Sequence, residues 1–222
     1  VPYPMEHEEV RQSFSAPVRP GHPMAEKIAY HGDFVQDIAF TVEDCDLAFK
    51  TAVDRGAKVW QEPTTLEDDF GRVRIASICT YGDTVHSLVQ RDQYNGPFLP
   101  GFRAENQPGD PIGIKAVDHA VGNVELGQMN VWVKWYEDVL GFRNMLSFDD
   151  KDISTEYTAL MSKVMSSGNG RVKFPINEPA AGKKKSQIDE YLEFFGGAGV
   201  QHVAMQTEDI VHTVSRLKAR GV

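Results

Sequence analysis

The chain repeats itself. Displaced by 165 residues, Gly32–Ala57 lies on Gly197–Val222 without a gap, GDFVQDIAFTVEDCDLAFKTAVDRGA over GAGVQHVAMQTEDIVHTVSRLKARGV. Gly32, Val35, Gln36, Ala39, Glu43, Asp44, Arg55 and Gly56 recur as identical residues, eight of 26, with apolar positions matched between them. Such a period implies a duplicated structural unit that buries one face against its neighbours. Each copy has the same local logic. A short strand, Val35–Val42 or Val200–Thr207, runs into an acidic pair, Glu43-Asp44 or Glu208-Asp209, whose carboxylates can cap the next helix. In the second copy Ile210, Val214 and Leu217 fall at i, i+4 and i+7, which predicts one buried stripe. Gly56 and Gly221 stand where a left-handed helix cap is wanted.

A looser third copy starts at Val117, where VDHAV parallels VQHVA and VQDIA. Met129, Trp132, Val133, Tyr136 and Leu140 give its helix an apolar face, and Gly141 ends it. Strands are expected at Arg143–Phe148, Glu156–Val164 and Arg171–Ile176, and in the first copy at Lys58–Gln61, Arg72–Cys79 and Thr84–Gln90. The unit is therefore βαβββ. The fold class is α+β, with repeated βαβββ modules forming open half-barrel sheets. The stretch from Tyr94 to Ile114 is rich in Pro and Gly and reads as a linker. Pro179–Ser186 reads as a polar loop and Gln187–Phe195 as a short helix. Residues 1–31 look like the end of a module plus a connector. The expected organisation is residues 1–100 as part of a first domain, 101–113 as the linker and 114–222 as a second domain. The second copy stops at Val222 where the first runs on through three strands. A half-built sheet with an open edge is costly, so the sequence is expected to lack part of a module there, and also its natural start before Val1.

Composition narrows the function. The net charge of -9 and the absence of a basic face argue against nucleic acid. The one basic run, Lys183-Lys184-Lys185, reads as a solvated loop. No stretch approaches the ~18 apolar residues that span a bilayer. Cys45 and Cys79 lie 34 residues apart with no CxxC spacing, as expected of two buried thiols in a reduced, cytoplasmic protein.

Seven histidines occur, and a lone strand histidine is ordinarily a hydrogen-bonded core or edge residue. The repeat singles out two. His119 and His202 hold the equivalent position of two modules, and both face inward if their apolar neighbours at i±2 line the core. Two modules packed about a pseudo-twofold would bring the imidazoles together. The first copy has Asp37 there, which reads as a capping or solvated carboxylate. Imidazole suits Zn, Fe, Cu and Ni, so two histidines do not fix the metal. A third ligand must come from elsewhere. Glu156 and Asp118 are available but not specially placed, and strand alternation turns Asp118 away from His119.

Repeated βαβββ modules are characteristic of the vicinal oxygen chelate (glyoxalase-like) superfamily. Within it, VDHAVGNVELG, KFPINEP, KKKSQIDEYL and GAGVQHVAMQTEDI resemble the 4-hydroxyphenylpyruvate dioxygenase family, as do residues 28–102, ending in YNGPFLPG. The resemblance implies one iron(II) per subunit, held by His119, by His202 and by a glutamate expected beyond Val222. It implies a substrate pocket with Ser162, Asn177, Gln187 and Gln201 as polar groups and Val121, Val164 and Pro175 as apolar wall. On residue type alone Ser162 would be a strand-edge polar residue and Asn177 a turn residue. Parity puts Val121 with His119, and Asn177 with Pro175. Gln201 should point away from His202 unless a bulge intervenes.

The implied activity converts 4-hydroxyphenylpyruvate and O2 to homogentisate and CO2 in tyrosine and phenylalanine catabolism. The implied partners are those small molecules and further copies of the chain, as a dimer or tetramer. The chain as given is expected to be inactive or weak, because two imidazoles without the carboxylate bind iron(II) poorly. The nearest rival is a 4-hydroxymandelate synthase. A rival of another class is a metal-free binding or resistance protein of the same fold, against which the two matched histidines argue.

Overall fold

The structure, a computed structural model, describes residues 2–7, 10–19, 21–105, 109, 111–148, 160–180 and 185–222. An antiparallel hairpin of β1 (Pro2–His7) and β2 (Val10–Ser15), then α1 (Pro23–His31), leads into the first unit. That unit is β3 (Phe40–Thr41), α2 (Cys45–Asp54), β4 (Val59–Asp68), β5 (Gly71–Cys79) and β6 (Val85–Gln90). The second is β7 (Ile114–Asn123), α3 (Met129–Leu140), β8 (Arg143–Phe148), β9 (Leu160–Ser166) and β10 (Lys173–Pro179). Helix α4 (Gln187–Phe195) connects to a further strand and helix, β11 (Gly199–Thr207) and α5 (Ile210–Ala219).

The duplication is visible in the pairing. In each unit the first strand lies parallel to the last, β3 on β6 and β7 on β10, giving sheet orders β3-β6-β5-β4 and β7-β10-β9-β8. Strand β11 then adds antiparallel to the free edge of β7 and makes the second sheet five-stranded. Neither sheet closes into a barrel.

The expected acidic caps form. Asp44 Oδ1 accepts from Leu47 N (2.8 Å) and Asp209 Oδ1 from His212 N (2.9 Å). Helix α3 starts without a side-chain cap at Gln128, and its first amide, Met129 N, instead donates to Glu178 Oε2 (3.0 Å) on β10. The first unit repeats this device, with Cys45 N donating to Gln90 Oε1 (3.1 Å) on β6. Helix termini leave backbone donors unpaired, and here the last strand of each unit serves one of them.

Some expectations are corrected. Of Val35–Val42 only Phe40–Thr41 is regular strand; the remainder is tied to β6 by isolated bonds such as Ile38 N to Val85 O (3.1 Å). The α5 stripe is not buried: Ile210 is 64% exposed and Val214 40%, and the helix docks through Thr213, which bonds Thr207 Oγ1 and Ile112 O. Asp37 does not cap a helix; it is an exposed carboxylate that also accepts from Ser87 N and Oγ. The PINEP segment is strand, so Asn177 is not a turn residue. In β9 residues 160–166 are strand, while the expected strand residues 156–159, and with them Glu156, lie outside the described residues, as do Lys183 and Lys184. Residues 1–31 carry a hairpin and a helix that their weak periodicity does not announce.

The core is shared between units. Tyr81, in the turn between β5 and β6, packs with Ala120, Val133, Tyr136, Phe174, Ile176 and other residues of the second unit. Strand alternation puts Ala120, Met165, Phe174 and Ile176 on the buried face. The opposite face of the same sheet is the one that concerns function.

Candidate metal centre

Strand register decides which side chains meet. On β7 and β11, His119 pairs with Ala204 and His202 with Val121, so the two histidines are diagonal neighbours on one sheet face. Their ring centroids are 5.7 Å apart. Metal–nitrogen bonds of about 2.1 Å limit two imidazoles on one ion to a centroid separation of roughly 6.5 Å, so the pair fits a single ion. Desolvation, then the neighbouring His119, hold the His202 imidazole below its ordinary pKa, which favours the neutral, coordinating form.

The second nitrogen of each ring is engaged. His119 Nδ1 lies 2.7 Å from Asp118 Oδ2, and His202 Nδ1 lies 3.1 Å from Gln201 Oε1. Both partner oxygens accept, so each Nδ1 donates and each Nε2 keeps its lone pair for a metal. This is how ligating histidines are commonly oriented. Asp118 therefore does not turn away from His119 as strand alternation predicts. Its other oxygen accepts from Lys173 Nζ (2.8 Å), and these two bonds, His119 first, lower its carboxyl pKa. Among the described residues no group of three or more His, Cys, Asp or Glu gathers around an ion site.

The rest of the face follows from pairing. Asn177 faces Asn123 on β7 and Ser162 on β9, and Pro175 faces Val164. His119, Val121, Asn123, Ser162, Val164, Pro175, Asn177 and His202 thus lie on one side of four adjacent strands. Val121 and Ser162 are buried, whereas His202 is exposed. The expectation that apolar neighbours at i±2 line the core holds for Val121 but not for Val117, which is 41% exposed. Gln201 is the bulge residue: the register shifts between Val200 and His202, and the shift brings its amide to the His202 ring. Gln187 is not gathered with them; it stands exposed at the first position of α4.

In the sequence Asp118 is weighed as a ligand and set aside, and Asn123 is missed. Asp118 carries a signal, a carboxylate beside a candidate ligand histidine. Asn123 does not, since nothing local shows that it meets Asn177, whose Nδ2 donates to Asn123 Oδ1 (3.3 Å).

The model of the Glyoxalase/Bleomycin resistance protein/Dioxygenase superfamily matches residues 116–222. A 4-hydroxyphenylpyruvate dioxygenase of Aspergillus fumigatus is 52% identical over 199 residues, covering 86% of this chain and 49% of its own. Those of Yarrowia lipolytica and Xenopus tropicalis are 47% and 46% identical, covering 96% and 94% of this chain and 57% and 55% of theirs. The chain thus spans about half the length of the curated relatives it matches. Among solved structures, a triple mutant of 4-hydroxymandelate synthase from Streptomyces coelicolor superposes with TM-score 0.86 at 27% identity, covering 100% of this chain and 63% of that one.

Proposed function

Because the chain belongs to the 4-hydroxyphenylpyruvate dioxygenase family of the glyoxalase-like superfamily, we propose that the protein carrying it converts 4-hydroxyphenylpyruvate and O2 to homogentisate and CO2. One observation carries the reading: His119 and His202, 5.7 Å apart at the ring centroids, each with Nδ1 engaged and Nε2 left over. A binding or resistance protein without metal has no need of two matched, pre-oriented imidazoles.

The metal is iron(II), held by His119 and His202 as two members of a site with two histidines and one carboxylate. When bound, it supplies redox-active coordination positions for the 2-oxo acid and for dioxygen. The chain's own residues do the rest. Asp118 and Gln201 fix the ring tautomers and aim the Nε2 atoms. Val121, Val164 and Pro175 form an apolar wall that excludes water and aligns the substrate ring, which converts binding energy into orientation. Ser162 and Asn177 are polar contacts on the same sheet face. Residues 1–100 belong to a metal-free domain, 101–113 to a linker and 114–222 to the metal-binding domain. The protein works in the cytoplasm as a homo-oligomer. Its two cysteines are unpaired, and among the described residues no helix is long and apolar enough to cross a membrane.

Oxygen uptake and product analysis test this on the full protein loaded with iron. Homogentisate is expected. Hydroxymandelate would transfer the protein to the synthase, and no iron-dependent uptake would remove the enzyme reading altogether.

A further inference from the structure

Asn123 closes β7 and is fully buried. Its amide has one end occupied, because Asn177 Nδ2 donates to Asn123 Oδ1 (3.3 Å). The other end, Nδ2, has no hydrogen-bond partner. A buried donor left unsatisfied costs about 1–3 kcal/mol and calls for an explanation. Register puts the Asn123 side chain on the face shared by His119, Val121 and Asn177. Four residues of strand separate it from His119, about 13 Å at ~3.3 Å per residue. It lies two residues along β7 from Val121, the partner of His202, on the side away from His119.

We infer that Asn123 is a specificity-determining residue whose Nδ2 donates to the ring hydroxyl oxygen of the bound substrate. The inference rests on the function proposed above, which puts the 2-oxo acid end at His119 and His202. A rigid para-substituted aromatic bound there by its acid end extends its hydroxyl along β7, away from His119. Asn177 acts on that oxygen through Asn123, by holding the Asn123 amide in the donating orientation. Substrate binding supplies the acceptor that the protein lacks.

Binding of 4-hydroxyphenylpyruvate and phenylpyruvate to the full iron-loaded protein under anaerobic conditions, by calorimetry, tests this. The ratio of the two affinities is the readout, because a purely structural role alters both ligands alike. Wild type is expected to prefer the hydroxylated acid, and Asn123→Leu to reduce that preference about tenfold, the worth of one hydrogen bond. A folded Asn123→Leu variant with the wild-type ratio overturns the inference. Wild type that binds neither acid overturns the proposed function instead. Should Asn123→Leu not fold, the Asn123 side-chain amide resonance of the zinc-loaded wild type carries the test. A shift with 4-hydroxyphenylpyruvate that phenylpyruvate does not produce is expected, and the same response to both overturns the inference.

Discussion

Asp118 does more at the site than its place in the sequence suggests. It joins the His119 ring to Lys173 on β10, so one carboxylate orients a candidate ligand and ties β7 to its neighbour. Removing such an outer partner commonly costs 10–100-fold in metal affinity. Asp118→Asn keeps the shape and loses the charge, and iron(II) or zinc titration of the full protein is expected to show a loss of about tenfold or more. Unchanged affinity would mean that packing alone orients His119. At this scale the sequence was partly readable. His119 and His202 stand out because the repeat makes them equivalent. Gln201 is ambiguous, because a bulge is a local departure from alternation that no periodicity announces. Asn123 is silent, because its meaning depends on an amide 54 residues away.

Among the elements, the helices divide by how they begin. Asp44 and Asp209 cap α2 and α5 from the preceding residue, a short-range bond that the acidic pair signals. Glu178 caps α3 from another strand, 49 residues on, and is 4% exposed. Asp44→Ala and Asp209→Ala are each expected to lower unfolding stability by about 1 kcal/mol. Glu178→Ala should cost more, about 2 kcal/mol, because it leaves a buried amide unpaired. Urea titration of the three variants checks the order, and a Glu178 effect below the other two would show that Met129 N finds water or another acceptor. The register of β7 with β11 was not legible, although both strands were. The bulge at Gln201 adds one residue to β11, and that single residue sets which side chains share a face.

Across the whole molecule, the two units are held by inserted side chains. The Tyr81 ring lies against Gly122, where an added Cβ would come within 2.6 Å of it. Both are packed in the core, so neither can yield cheaply. Gly122→Ala is expected to cost roughly 1–3 kcal/mol by overpacking, and less when Tyr81→Leu is made in the same chain, a coupling that a double-mutant cycle measures. Additive effects would refute the contact. His86 is likewise buried between units. Its rings' nitrogens meet Ile38 O (3.0 Å) and Tyr136 Oη (2.7 Å), and burial lowers its pKa from 6.5 to about 4. The folded form therefore refuses a proton that the unfolded chain accepts. Stability should be level above pH 6.5 and fall as pH drops toward 4, by at most about 1.4 kcal/mol per pH unit. Asp83 and Asp118, lowered chiefly by bonds from His31 and His119, add their losses only in the carboxylate range. Unfolding midpoints between pH 4 and 8 test this, and in His86→Gln the loss above pH 4.5 should shrink to the smaller share left by His202, whose pKa is also lowered.

What the sequence determined by itself was the repeating unit and its chemistry. A 165-residue period, helix caps within four residues and two equivalent histidines are all carried by local order along the chain. Tertiary structure alone decided which face each side chain joins, how the units share a core and which orphaned polar groups meet. Those outcomes depend on pairing register and on contacts between residues far apart in sequence. A shift of one residue reverses a strand's faces, and no local pattern records that choice.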